Sequence, residues 1–238
     1  MSLVKGLYNP EKNNMRLLST VITEKLKTPC GVLMGANVAN EVAEGAFCET
    51  TIAFQDENHG EVFKKLLQTP DFRVNVIKDA KNAELCGALK NIVAFAAGIC
   101  DGVYGEKTNT KAAIIRLGLC EIMHFADTFF PGGSRETYLE SCGVADLITS
   151  CFGGRNRKVG EAFAACETKT LDDLTKELLA GQQLQGAGTA EEVNTFLAQK
   201  GKEKEYPLFT AVHQICKRSI PPKALIDALR NHPEHTDK

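Results

Sequence analysis

Two stretches of this chain place polar chemistry where apolar packing is otherwise expected. The first runs from Leu85 to Cys100, where Lys90 and Asn91 interrupt a series of apolar and small residues. On a helix, Gly87 and Ala94 lie one turn either side of Lys90, with Ala83 and Ala97 a turn further out, so the lysine emerges from a face of small side chains. Such a lysine can snorkel from a partly buried helix into solvent. Small neighbours equally leave room for a ligand beside the ammonium group. Burial there can lower a lysine pKa by as much as roughly 3 to 5 units, toward the range useful to a general acid or base. Local pattern alone leaves both readings open.

The second stretch is Ser141 to Gly160, which contains Asp146, Thr149, Ser150 and the run Gly153-Gly154-Arg155-Asn156-Arg157-Lys158. A Gly-Gly turn followed by these donors and then by Ala162 to Ala165 predicts a helix N-terminus, whose free amides favour anions. Cations belong at the opposite end of a helix, so three of them here act against helix stability and ask for an anionic partner. A solvated basic turn fits the composition, and so does a phosphate or pyrophosphate site, for which arginine offers a bidentate fork. Asp146, Thr149 and Ser150 either cap helices or complete the polar lining. Gly186-Ala-Gly188 does not make a dinucleotide loop, because no strand precedes it and the third glycine is missing.

These residues need elements to hold them. Met15, Leu18, Ile22 and Leu26 form a helical stripe, Cys30 to Met34 is a compact apolar run, and Thr50 to Phe54 and Phe72 to Ile77 read as strands around a helix over Glu61 to Leu67. This is α/β alternation, but the strands before residue 78 are too few for a complete doubly wound domain. From Ala80 onward helical signals take over. Ala112, Ile115, Leu119, Ile122 and Ala126 mark a long amphipathic helix that Pro131-Gly132-Gly133 stops. Thr170 with Asp173, and Thr189 with Glu192, predict capping boxes that open helices with stripes at Leu171, Leu174, Leu178 and at Val193, Phe196, Leu197. Phe209, Val212, Cys216 and Leu225, Ile226, Leu229 predict two more, separated by Pro221-Pro222. The fold class expected is an α/β remnant of a Rossmann-type domain over residues 1–78, followed by an all-α domain over 79–238.

The balance of 28 basic and 30 acidic residues gives a formal charge of −2, which implies no general attraction to nucleic acid or anionic membrane. The 9 cysteines are odd in number, scattered and without a CxxC pair, which predicts reduced packing residues in a cytoplasmic protein and no structural zinc. The longest unbroken apolar run, Ile92 to Cys100, is too short to cross a bilayer, and the first residues carry no signal-peptide pattern.

Several runs resemble the cytosolic NAD-dependent glycerol-3-phosphate dehydrogenases of eukaryotes. They are Ser2 to Gly6, Val32 to Ala43, Phe47 to Ile52, Cys86 to Asn91, Asn109 to Ala113, Glu140 to Thr149, and Gly153 through Val159 to Leu184-Gln185-Gly186. The match is dense, ordered and essentially end to end. It implies a Rossmann-type first domain, a helical second domain, and hydride exchange between NADH and C2 of dihydroxyacetone phosphate to give sn-glycerol 3-phosphate. It also implies that the front of the first domain, with its glycine fingerprint and adenosine-binding acceptor, is not among these residues.

By the same resemblance Lys90 is the proton donor and acceptor, and Lys5 and Asp146 are charged supporting residues of the catalytic group. Lys5, Asn91, Thr149, Arg155 and Asn156 fall at or beside substrate contacts. Ala39, Arg155 and Gln185 line the NAD cofactor, as does Gln183, which stands where many members carry lysine. Ser150 stands where the family often has threonine, and so keeps a hydroxyl. The resemblance further implies a homodimer. Two other readings remain: a truncated non-catalytic subunit or interaction protein that pairs with the full-length enzyme, and a related dehydrogenase for another phosphorylated or hydroxy acid substrate.

Overall fold

A computed structural model describes residues 1–10 and 14–236. The chain opens with β1 (Leu7–Tyr8), β2 (Arg16–Leu17), α1 (Leu18–Leu26), β3 (Val32–Met34), α2 (Ala39–Ala43), β4 (Cys48–Ala53), α3 (Glu57–Leu67) and β5 (Phe72–Ile77). β1 and β2 form a small antiparallel ladder. The main sheet has the order β3-β4-β5, with β3 antiparallel to β4 and β5 parallel to it, so that α3 is the crossover of a parallel pair. The helical stripe expected from Met15 begins only at Leu18, because Arg16 and Leu17 are taken by the β2 ladder. α3 starts earlier than its apolar residues suggest, since the Asp56 side chain accepts the Asn58 N–H at 3.0 Å and caps it.

Alternation along the strands sends side chains to both faces of the sheet. Val32, Met34 and Ala53 pack with Ala83 and Cys142, while Ile52, Phe54 and Val74 pack with Phe63 and Leu67 of α3. The sheet is therefore a filled middle layer, although it is small.

Beyond Ala80 the regular elements are helical: α4 (Ala80–Tyr104), α5 (Thr108–Phe129), a 3-10 turn at Arg135–Leu139, a π turn at Ser141–Ala145, α6 (Asp146–Gly153) and α7 (Arg155–Ala165). They continue with α8 (Leu171–Leu179), α9 (Gly186–Gln199), a 3-10 turn at Glu203–Glu205, α10 (Pro207–Cys216), α11 (Ala224–Arg230) and α12 (Pro233–Thr236). By contacts the described residues form two compact units: residues 1–8, 15–88 and 123–147, and residues 9–10, 14, 89–122 and 148–236. The architecture is a short Rossmann-like α/β part followed by a mostly helical part.

α4 is apolar nearly all round. By length and composition it could cross a membrane, although the unbroken apolar run within it is short, but its most apolar window is 100% buried inside the protein, the condition of a core helix. Within the second unit its glycines admit neighbours closely. A Cβ at Gly98 would run into the Arg157 carbonyl oxygen, and one at Gly160 would lie 2.5 Å from the Phe95 carbonyl oxygen, so α4 and α7 touch backbone to backbone.

Two expectations about helix faces and one about a helix start are corrected. In α5, Ile122 and Ala126 are buried as expected, but Ile115 and Leu119 are half-buried and Ala112 is exposed, and Ile114, Leu117, Phe125 and the carboxylate of Glu121 complete the buried face. In α8 the Thr170–Asp173 capping box forms, but Leu179 is buried and Leu178 is 43% exposed. α9 opens at Gly186 rather than at Thr189, because Asn156 from α7 accepts the Gly186 N–H at 2.7 Å and caps the helix from outside.

Candidate active site

Lys90 does not snorkel. It is 6% exposed, and its Nζ donates to Ser150 Oγ of α6 at 2.6 Å. The small residues around it are packed rather than open: Ala94 and Ala97 are fully buried. Beside this pair the Cys151 thiol is pushed up to about 12 by burial, against the pull of the Lys90 and Lys111 charges. Thr149, half-buried, precedes Ser150 on α6.

Asn91 continues the polar line. Its Oδ1 accepts Asn156 Nδ2 at 2.9 Å, its Nδ2 donates to Gln185 Oε1 at 3.4 Å, and Asn156 Oδ1 receives the Gly186 N–H. A side chain at Gly186 would sit 2.6 Å from the Asn91 carbonyl oxygen, so this junction of α4, α7 and α9 requires a glycine. Asn91 and Asn156 are both buried, and their amides are fixed by the network they share.

The Gly-Gly turn does open a helix. Gly154 is the N-cap of α7 in extended conformation, and Arg155 is its first residue. Of the three cations clustered here, Arg157 finds its anionic partners inside the protein. Its Nε donates to Asp101 Oδ2 at 2.7 Å, and its Nη1 lies 3.0 Å from Glu161. Arg155 is exposed and makes no hydrogen bond or ion pair among the described residues, and Lys158 is exposed too. The demand for an external anion thus narrows from a trio to Arg155, the first residue of the helix, and Lys158 a turn further on.

In the first unit, Lys5 Nζ lies 2.7 Å from Asp146 Oδ2 and donates to the Gly35 carbonyl oxygen at 3.0 Å. The Asp146 side chain is only 4% exposed, against 27% for Lys5. Around the end of β3 the chain is tight. Ser141 Oγ donates to the Glu49 carbonyl at 2.6 Å and accepts the Ala36 N–H at 3.3 Å, and any Cβ at Gly35 would meet it at 2.8 Å. Gly87 lets α4 approach Met34, whose sulfur is 2.6 Å from where its Cβ would be. Ala39, first residue of α2, is exposed.

The structure therefore groups the predicted residues as Lys5 with Asp146, and as Asn91 with Asn156 and Gln185. Lys90 instead pairs with Ser150. Gln183 lies exposed in the loop between α8 and α9, and is not joined to the others. Asp101 and Lys111 are absent from the sequence-based candidates. The signal for Asp101 is a charged residue directly after an apolar run, Ile99-Cys100-Asp101, which marks a buried charge; Lys111, after Asn109-Thr110, carries no such signal. Chemically, a buried ammonium beside a hydroxyl can hold or deliver a proton at an oxygen, and a free arginine at a helix N-terminus can hold a dianion.

Two family models match the chain. One for the C-terminus of NAD-dependent glycerol-3-phosphate dehydrogenase matches residues 79–227, and one for its N-terminus matches residues 1–60. The cytoplasmic glycerol-3-phosphate dehydrogenase [NAD(+)] of Drosophila virilis is 58% identical over 99% of this chain and 66% of its own length. The solved glycerol-3-phosphate dehydrogenase of Saccharomyces cerevisiae superposes with a TM-score of 0.89 at 43% identity, over 97% of this chain and 67% of that one. That of Plasmodium falciparum gives 0.91 at 38% identity, over 97% and 64%. The chain spans about two thirds of the length of the curated relatives it matches, 66% and 65% for the Drosophila virilis and Drosophila kanekoi proteins.

Proposed function

Because the chain belongs to the NAD-dependent glycerol-3-phosphate dehydrogenase family, we propose that it carries the proton-transfer and phosphate-binding parts of an enzyme interconverting dihydroxyacetone phosphate and sn-glycerol 3-phosphate. The observation that carries this reading is Lys90: an ammonium 6% exposed, hydrogen-bonded to a hydroxyl in an otherwise apolar helix. Adding hydride to a ketone carbon puts negative charge on its oxygen. Lys90 stabilises that charge and gives the proton, and it takes the proton back in the reverse direction, a contribution typically worth about 10² to 10⁴ in rate.

Asn91, Thr149, Arg155 and Asn156 hold the substrate, with Arg155 and the α7 N-terminus on the phosphate. Its binding energy there keeps the carbonyl in register at a distance from the reacting carbon. Lys5 and Asp146 form the charged supporting pair, and Lys5 also contributes to substrate binding.

The donor set fits part of a dinucleotide. Exposed Arg155 and Gln183 and half-buried Gln185 offer guanidinium and amide groups, and Ala39 offers an uncrowded surface. When bound, NAD supplies or accepts the hydride. These residues would orient it and exclude water. Residues 1–78 are assigned to the cofactor side and 79–238 to the substrate side. Family membership also supports a cytoplasmic homodimer, measurable by light scattering.

The test is NADH oxidation with dihydroxyacetone phosphate, using the chain itself and a chimera that carries the front of the Drosophila virilis relative. The chimera is expected to turn over, and Lys90→Ala to reduce its kcat by at least about 10²-fold. Full activity in the Lys90→Ala chimera would remove the lysine from its role. Absence of turnover, combined with co-purification with a full-length relative, would favour a non-catalytic subunit.

A further inference from the structure

Asp101, near the C-terminal end of α4, lies outside every role assigned above. It is 5% exposed, and one of its oxygens, Oδ2, accepts both Lys111 Nζ of α5 at 2.8 Å and Arg157 Nε of α7 at 2.7 Å. Its other oxygen, Oδ1, is buried with no hydrogen-bond partner among the described residues. Lys111, itself 6% exposed, also sits over the Phe152 ring of α6, 4.8 Å from its centroid. One carboxylate thus reaches Phe152 through Lys111, and reaches Arg157 directly.

Those two contacts bracket the α6–α7 turn. α6 ends at Gly153, Gly154 alone joins it to α7, and the Gly154 N–H returns to the Ser150 carbonyl at 3.2 Å. Lys111 touches Phe152, itself 54% exposed, on one side and Asp101 holds Arg157 on the other, so residues 153–156 are tethered at both ends. The same crossing is held independently by backbone contact, because Gly98 and Gly160 let α4 and α7 meet without side chains between them. Arg155, whose own side chain has no partner among the described residues, owes its placement to this anchoring. We propose that Asp101 is a positioning residue that, through Lys111 and Arg157, sets the α6–α7 turn so that Arg155 and Asn156 meet the substrate phosphate. Sequestering Arg157 also leaves one arginine of the run for that ligand. The phosphate part rests on the function proposed above; the anchoring of the turn does not.

The experiment uses the whole chain with Asp101→Asn, Lys111→Met, Gly98→Ala and Arg155→Ala. Amide hydrogen exchange is read by mass spectrometry, and glycerol 3-phosphate affinity by calorimetry. Asp101→Asn and Lys111→Met are expected to speed exchange in residues 150–160 by about 10-fold while α9 and α10 change little. Lys111→Met, which leaves the carboxylate itself in place, keeps the test alive should Asp101→Asn fail to fold, and Gly98→Ala, which alters no charge, reports the independent backbone contact. Loss of one positioned charged hydrogen bond weakens glycerol 3-phosphate binding by about 10-fold in Asp101→Asn. The double variant with Arg155→Ala then binds no worse than Arg155→Ala alone, because the position of an absent arginine does not matter. Unchanged exchange in 150–160, an equal rise throughout the helices, or additive losses in the double variant would each overturn the proposal. If the parent chain fails to bind glycerol 3-phosphate, the functional reading and the phosphate part fall together, and exchange alone decides the anchoring.

Discussion

Replacing Lys5 by methionine keeps most of the volume of the side chain and removes its charge, leaving the Asp146 carboxylate without that cation. At 2.7 Å and an effective dielectric constant near 20, the attraction lost is about 6 kcal/mol before desolvation and side-chain ordering are counted. Breaking a fully buried pair by deleting one partner costs about 3 to 5 kcal/mol. Lys5 keeps 27% of its side chain in water, which screens the pair, so about 2 to 3 kcal/mol is expected from the first unit. The Gly35 carbonyl loses its Nζ donor in the same substitution, which acts in the same direction. For a chain of this size each kcal/mol moves the midpoint by about 2 to 4 °C, so Lys5→Met should melt roughly 4 to 12 °C lower in scanning calorimetry. A cycle with Asp146→Asn should return a coupling energy of about 1 to 2 kcal/mol. A Lys5→Met chain within about 0.5 kcal/mol of the parent would refute the reasoning and leave the pair as a surface contact.

Further outcomes follow from the buried groups. Burial raises the Glu84 carboxyl above its ordinary 4.5 despite the donors from Ser19, so the folded state holds this proton more tightly than the unfolded one. That stabilisation is complete below 4.5 and is lost as pH rises through the folded value; Glu84→Gln should therefore flatten the fall in urea stability toward neutral pH, and an unchanged slope would contradict it. Cys142, Cys151 and Cys216 have thiols pushed up to about 12 by burial, whereas Cys166 is lowered by the Thr168 hydroxyl and the backbone N–H groups of Lys169 and Thr168. Iodoacetamide near neutral pH should label Cys166 ahead of those three, as read by peptide mapping. Phe209, fully buried in α10, should cost about 3 to 5 kcal/mol on truncation to alanine, measured by urea unfolding.

The elements that are legible in the sequence are those whose reason is local. β4 and β5 carry runs of β-branched residues, and the α8 capping box lies within four consecutive residues. Faces and boundaries fail where a distant residue intervenes. Glu121 sits on the buried side of α5 because it accepts the N–H groups of Leu208 and Phe209 at 2.6 and 3.0 Å, a demand that hydrophobic periodicity does not register. The start of α9 is set by Asn156. In the site, Lys90 is legible as an interruption of an apolar helix, but its bond to Ser150 depends on helices sixty residues apart in the chain. The basic run reads as a trio of equals until Asp101 removes Arg157 from it.

α4 also constrains the order in which the molecule can be made. Val93 backs onto Gly118, Phe95 lies 6.3 Å from the Phe163 ring, and Gly98 rests on Arg157. All of that cover is synthesised after the helix itself. A nascent chain that ends soon after α4 therefore presents the apolar face around residues 92–100 before any of this cover has been made, and one that ends before α7 still lacks Arg157 and Phe163. Chaperone capture should peak for ribosome-stalled chains in that interval and decline once residue 163 has left the exit tunnel. Polar substitutions on α4 should then appear as losses of yield before they appear as losses of activity.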